Sequence, residues 1–101
     1  MKYTSLDLTV MMEEAATRRA DLTAKLDDME SRSNEYYSMV DRYEEEPDEA
    51  EAEKLWTAIA NWTKRENHLR EALNSNHKLF DLLEAAQMEL ALIEAVEREG
   101  Q

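Results

Sequence analysis

The sequence predicts an all-α chain folded as one long antiparallel two-helix hairpin with coiled-coil-like packing. Three observations carry this expectation. One Gly and one Pro among 101 residues leave few places to interrupt a helix, and Glu, Ala, Leu, Met, Lys and Arg, all good helix formers, dominate the rest. Apolar residues recur at alternating three- and four-residue intervals on both sides of Pro47, the spacing of a coiled-coil stripe. The two stripes fall into a single register when the chain is folded back at Pro47.

Helix one is expected over about 5–45. Its stripe is Leu8, Met12, Ala15, Arg19, Leu22, Leu26, Met29, Ser33, Tyr36, Val40 and Tyr43, of which only Arg19 and Ser33 are out of character. Thr4 followed by Asp7 three residues later is a capping pair for its start, with the acid near the positive end of the helix dipole. Leu6, Leu8 and Val10 also alternate with polar residues, but no second strand exists to pair with them. The turn is placed at about 46–48, because Pro47 cannot continue a helix without losing a hydrogen bond and suits the first turn of a new one.

Helix two is expected over about 48–98. Asp48, Glu49, Glu51 and Glu53 crowd its start, where the dipole favours acids. Its stripe runs Leu55, Ile59, Trp62, Glu66, Leu69, Leu73, Asn76, Phe80, Leu83, Gln87 and Leu90. In the folded register each pair of facing residue numbers sums to 95. Val40 then meets Leu55, small Ser33 meets Trp62, Leu26 meets Leu69, Arg19 meets Asn76, and small Ala15 meets Phe80. Large against small and polar against polar is what close packing and polar satisfaction require. Two layers fit less well, Met29 against Glu66 and Leu8 against Gln87, and Glu66 is expected to reach Arg32 or Arg65. The alternative fold is a three-helix bundle with helix two broken near Asn74–Asn76, where Asn74, Ser75 and Asn76 are poor helix formers and good caps.

Charge and composition exclude several functions. The net charge is −12, with seven acids and no base over 44–53, six acids and one base over 79–101, and five bases against two acids over 54–78. Direct binding to nucleic acid or to an anionic membrane needs clustered Lys and Arg and is not expected. Cysteine is absent, which removes disulfide and thiolate chemistry. No stretch approaches the roughly 18 apolar residues of a membrane span, and the start of the chain has no signal-like apolar run, so a cytoplasmic location is expected.

Catalytic and cofactor motifs are missing from the sequence, and no enzyme, cofactor or metal is expected. His68 and His77 stand nine residues apart, and neither belongs to a Glu-x-x-His or His-Glu-x-x-His pattern. His77, Asp81 and Glu84 share one helical face, the arrangement of a solvated polar stripe far more often than of a metal site. Asn61-Trp62-Thr63 matches a glycosylation sequon, but Trp62 is assigned to the seam. The Trp-x-Gly turn that would tie the chain to the small WXG hairpin proteins is also absent, with Glu46-Pro47-Asp48 in its place. No family is assigned.

The sequence therefore points to surfaces. Tyr37 and Trp56 lie just off the seam on one flank, beside the acids Glu44, Glu45, Glu46, Asp48 and Glu49. An exposed aromatic pair ringed by carboxylates suits a partner protein with a basic, partly apolar surface. Met11, Leu79, Leu82, Ala86, Ile93 and Val96 form a second apolar face outside the seam, and homodimerisation into a four-helix bundle would cover it. The expected function is a non-enzymatic protein-interaction module, an inhibitor or nucleic-acid-mimicking decoy of the small acidic phage type. The alternative is a structural homo-oligomer or adaptor whose acids serve solubility alone.

Overall fold

A computed structural model describes residues 4–100. They form three α-helices, α1 (Ser5–Ser31), α2 (Ser33–Glu45) and α3 (Glu49–Glu99), with no strand among the described residues. No described helix is long and apolar enough to cross a membrane. The predicted capping pair opens α1: the Thr4 backbone N–H donates to Asp7 Oδ2 at 2.9 Å, and Asp7 N–H donates to Thr4 Oγ1 at 3.1 Å. These two bonds satisfy donors that the first helical turn would otherwise leave open. Leu6 is exposed and Leu8 is buried, as a helix requires of residues two apart.

The first helix is shorter than its periodicity predicts. Arg32 leaves helical geometry, with φ −101° and ψ 16°, and separates α1 from α2. Its N–H is shared between the carbonyls of Asp28 (3.2 Å) and Met29 (3.1 Å), and its own carbonyl accepts Glu35 N–H at 2.9 Å in a tight three-residue step. Ser31 Oγ donates back to the Asp28 carbonyl at 2.7 Å, which gives the backbone a rival to its helical partner. Ser31, Ser33 and Asn34 make this the weakest stretch of the predicted helix. The alternative break, near Asn74–Asn76, does not occur, since α3 runs through it without interruption.

Pro47 lies before the start of α3 rather than in its first turn. Asp48 is the capping residue: its Oδ1 accepts Ala50 N–H at 3.0 Å and its carbonyl accepts Ala52 N–H at 2.9 Å. Glu46 Oε1 accepts the Asp48 N–H at 3.2 Å. The three-residue link is thus held by two of its own carboxylates.

The chain divides into two compact units. The first joins the described residues up to Asp21 with those from Leu73 onward. Here the start of α1 runs antiparallel to the end of α3, and Leu8, Ala15 and Leu83 form the buried core, flanked by Met11, Met12, Phe80, Ala86 and Leu90. Asn76 is buried among these segments, 6% exposed. Its Nδ2 donates to the Ala15 carbonyl at 2.9 Å, and its Oδ1 accepts Arg19 Nε–H at 3.3 Å. Arg19 also lies over the Phe80 ring, 4.6 Å from its centre. Gln87, expected opposite Leu8, donates to Thr9 Oγ1 at 3.4 Å.

The second unit spans Leu22–Ala72. Leu22, Leu26, Met29, Leu55, Ile59 and Leu69 are its buried residues, all on the predicted stripes. The partner of Glu66 differs from the expectation. Arg70, one turn further along α3, donates to Glu66 Oε1 at 3.0 Å and to Glu30 Oε1 at 3.3 Å. Arg32 instead pairs with Glu35 at 2.9 Å and Asp28 at 3.7 Å, neighbours three and four residues away on its own stretch of chain.

Candidate interaction surfaces

In the second unit the aromatic side chains gather around the link. Trp56 is 56% exposed and packs on Tyr43 with ring centres 5.7 Å apart. Tyr37 is 62% exposed and meets Tyr36 edge-on at 5.6 Å, while Tyr36 in turn lies 6.0 Å from Trp62. The stacking partner of Trp56 is therefore Tyr43, and that of Tyr37 is its own neighbour Tyr36. Arg32 sits 5.6 Å from the centre of the Trp62 ring, an unforeseen contact.

The acids of this region divide by role. Asp48 caps α3 and Glu46 closes the link. Glu51 pairs with Lys54 at 3.1 Å. Glu49 stands in the first turn of α3, where the dipole favours it. Glu44 and Glu45 are exposed in the last turn of α2, where the dipole disfavours acids. At the end of α2 these two carboxylates have no role in the local structure.

Beside the aromatics, an open groove of about 970 Å³ runs along α3. Tyr36, Trp56, Ile59, Ala60, Thr63 and Asn67 line it. Asn61, Lys64, Arg65, His68 and Glu71 complete the lining. Lys64 and Arg65 make no ion pair among the described residues, in contrast to Lys54 and Arg70 on the same helix. The sequence expectation missed this groove, although the basic balance of 54–78 and the run of small or polar residues Ala60, Thr63 and Asn67 were both visible.

In the first unit the second predicted face splits in two. Met11 and Ala86 are half-buried against the Leu8–Ala15–Leu83 core. Leu79, Leu82, Ile93 and Val96 are 48%, 69%, 48% and 67% exposed. Met88 and Leu92 add further exposed apolar surface, as do Leu6 and Val10 on α1. His77, Asp81 and Glu84 are all exposed, and no group of three metal-binding side chains exists among the described residues. No protein-family model, curated protein or solved structure matches the chain.

Proposed function

We propose that the chain is a non-enzymatic protein-interaction module, an acidic helical hairpin of the cytoplasm that binds a basic surface of a partner protein, in its sharpest form as a decoy for nucleic acid. The observation that carries this reading is the exposed Trp56, stacked on Tyr43 beside Glu44 and Glu45. A large aromatic held in place by a second ring costs little further entropy to dock, and surrounding carboxylates steer a basic partner toward it. The same reading assigns Glu49, in the first turn of α3, and the exposed Tyr37 to this surface. Glu46 and Asp48 have structural work in the link, so they contribute charge but are poor test positions.

The test starts from a partner captured in a lysate of the native host and purified. Its affinity is then compared for the parent chain and for a Glu44→Lys, Glu45→Lys, Glu49→Lys variant. The variant is expected to bind roughly tenfold more weakly or worse, through a slower on-rate that high salt makes unimportant. Equal binding by parent and variant ends the decoy reading.

A second reading, a homo-oligomer, is favoured by the exposed Leu79, Leu82, Ile93 and Val96. An apolar face of this extent is usually covered in the working protein. A dimeric four-helix bundle is the simplest cover. Sedimentation as a monomer at tens of micromolar, roughly the upper end for a biological dimer, removes this reading.

A further inference from the structure

Two unpartnered surfaces of the chain complement each other. The groove of the second unit has an apolar floor at Trp56, Ile59 and Ala60, and at its side are Lys64 and Arg65, which make no ion pair among the described residues. The exposed apolar residues Leu82, Ile93 and Val96 of the first unit lie in a segment, 79–101, with six acids and one base. The lengths agree. Trp56 to Glu71 spans about 22 Å of helix, and Leu82 to Val96 about 21 Å, at the rise of an α-helix.

We propose that the groove receives the C-terminal part of α3 from a second copy of this chain. The inference rests on the self-association reading above and names the surface that the apolar face of one copy covers on the other. Stacking that face against its own equivalent would bring two acidic segments together, which like-charge repulsion opposes. Placing it in the groove brings it to the basic stretch 54–78, with five bases against two acids. Glu71 is the one acid in the groove lining, and it stands at the far end from Trp56. The contact joins two different surfaces, so a two-fold dimer forms it twice, groove to face and face to groove.

Three measurements on the full chain test this. Sedimentation at rising salt comes first: an acidic segment in a basic groove dissociates more readily as the Debye length shrinks from about 8 Å to about 3 Å between physiological and molar salt. Two like-charged faces would instead associate more tightly. Second, Lys64→Glu with Arg65→Glu is expected to weaken association roughly tenfold or more. Both sites are exposed on a helix, so circular dichroism should be unchanged. Third, a photo-crosslinking amino acid is placed at Ala60, in a mixture of isotopically light and heavy chains. It should capture peptides from 79–98 of the other copy. Crosslinks from position 60 to some other part of the second copy, together with association that salt strengthens and that the Lys64, Arg65 variant retains, overturn the groove assignment while leaving self-association standing. A monomer at tens of micromolar (an order-of-magnitude ceiling) removes both at once.

Discussion

Ser31–Asn34 and Asn74–Asn76 are two clusters of the same kind of residue, and they meet opposite fates. Each puts Ser and Asn into a strongly periodic helix, and each offers the backbone rival side-chain hydrogen bonds. The first interrupts the helix at Arg32, and the second stays helical inside α3. The difference lies in what answers the polar side chain. Asn76 is buried and bonded to Ala15 and Arg19 from a different helix, so helical geometry is what aims it at its partners. Ser31 bonds only to a carbonyl three residues behind it, and Asn34 is exposed. A cluster of weak helix formers holds its helix when a tertiary bond rewards that geometry, and yields when its bonds are local.

The largest effect should therefore come from Asn76. Asn76→Ala removes the buried donor to Ala15 and leaves Arg19 without its acceptor, at an expected cost of about 1–3 kcal/mol. Urea unfolding measures it. Asn74→Ala and Ser75→Ala, at exposed positions of the same cluster, should be neutral or stabilise by no more than about 0.7 kcal/mol each. If all three substitutions behave alike, the tertiary bond is not what keeps α3 continuous.

A smaller effect of opposite sign is expected in the other cluster. Ser31→Ala removes the bond back to Asp28, and Ser33→Ala with Asn34→Ala raises helix propensity where nothing buried is lost. Together they should stabilise the chain by roughly 1 kcal/mol and close the interruption. The readout is slower amide exchange at 32–35 and helical carbon shifts at Arg32. Persistence of the break in the triple variant would mean that packing within the second unit, and not the local side chains, imposes it.

The same distinction decides how much was legible beforehand. Every buried residue lies on a stripe read from spacing alone, including the polar Asn76, because burial in a helix follows a period that the sequence carries directly. The link at Glu46–Asp48 and the Thr4–Asp7 cap were legible for a related reason, since Pro and capping residues act over three or four positions. The break at Arg32 was not, although Ser31, Ser33 and Asn34 were as plain as Asn74, Ser75 and Asn76. Telling the clusters apart requires knowing which polar side chain finds a partner on another helix. The pairing of Glu66 with Arg70 was missed in the same way: Arg32 lay at the right register, but it pairs with its sequence neighbours Glu35 and Asp28, and Arg70 stands one turn from Glu66. Of the candidate interaction surfaces, the exposed Trp56, Tyr37, Leu82 and Val96 were legible as apolar residues off the stripes. Met11 and Ala86, assigned to the same outer face, are half-buried against the Leu8–Ala15–Leu83 core, because residues bordering a stripe can be drawn toward it.

The smallest effect belongs to a residue answered only within its own turn and fully exposed. Asp7 holds the Thr4 N–H and accepts nothing from another helix. The backbone hydrogen bond from Thr4, followed by the Thr4 hydroxyl, lowers its carboxyl below the ordinary value of 3.8. A lowered folded-state value means that the charged form is the one the cap stabilises. The contribution is thus complete above the unfolded value and is lost as pH falls through the folded one. Acidification from pH 5 toward 2 should accordingly fray the first turn of α1 and leave Asn76 and the rest of α3 untouched. Carboxyl and amide shifts followed by NMR across that range read both sites in one experiment. Asp7→Asn should remove the pH dependence of the first turn, because the amide keeps an acceptor oxygen but does not titrate. Loss of helix at Asn76 over the same pH range would show that the two ends of the comparison are coupled, and that local and tertiary bonds in this chain cannot be separated as the two clusters imply.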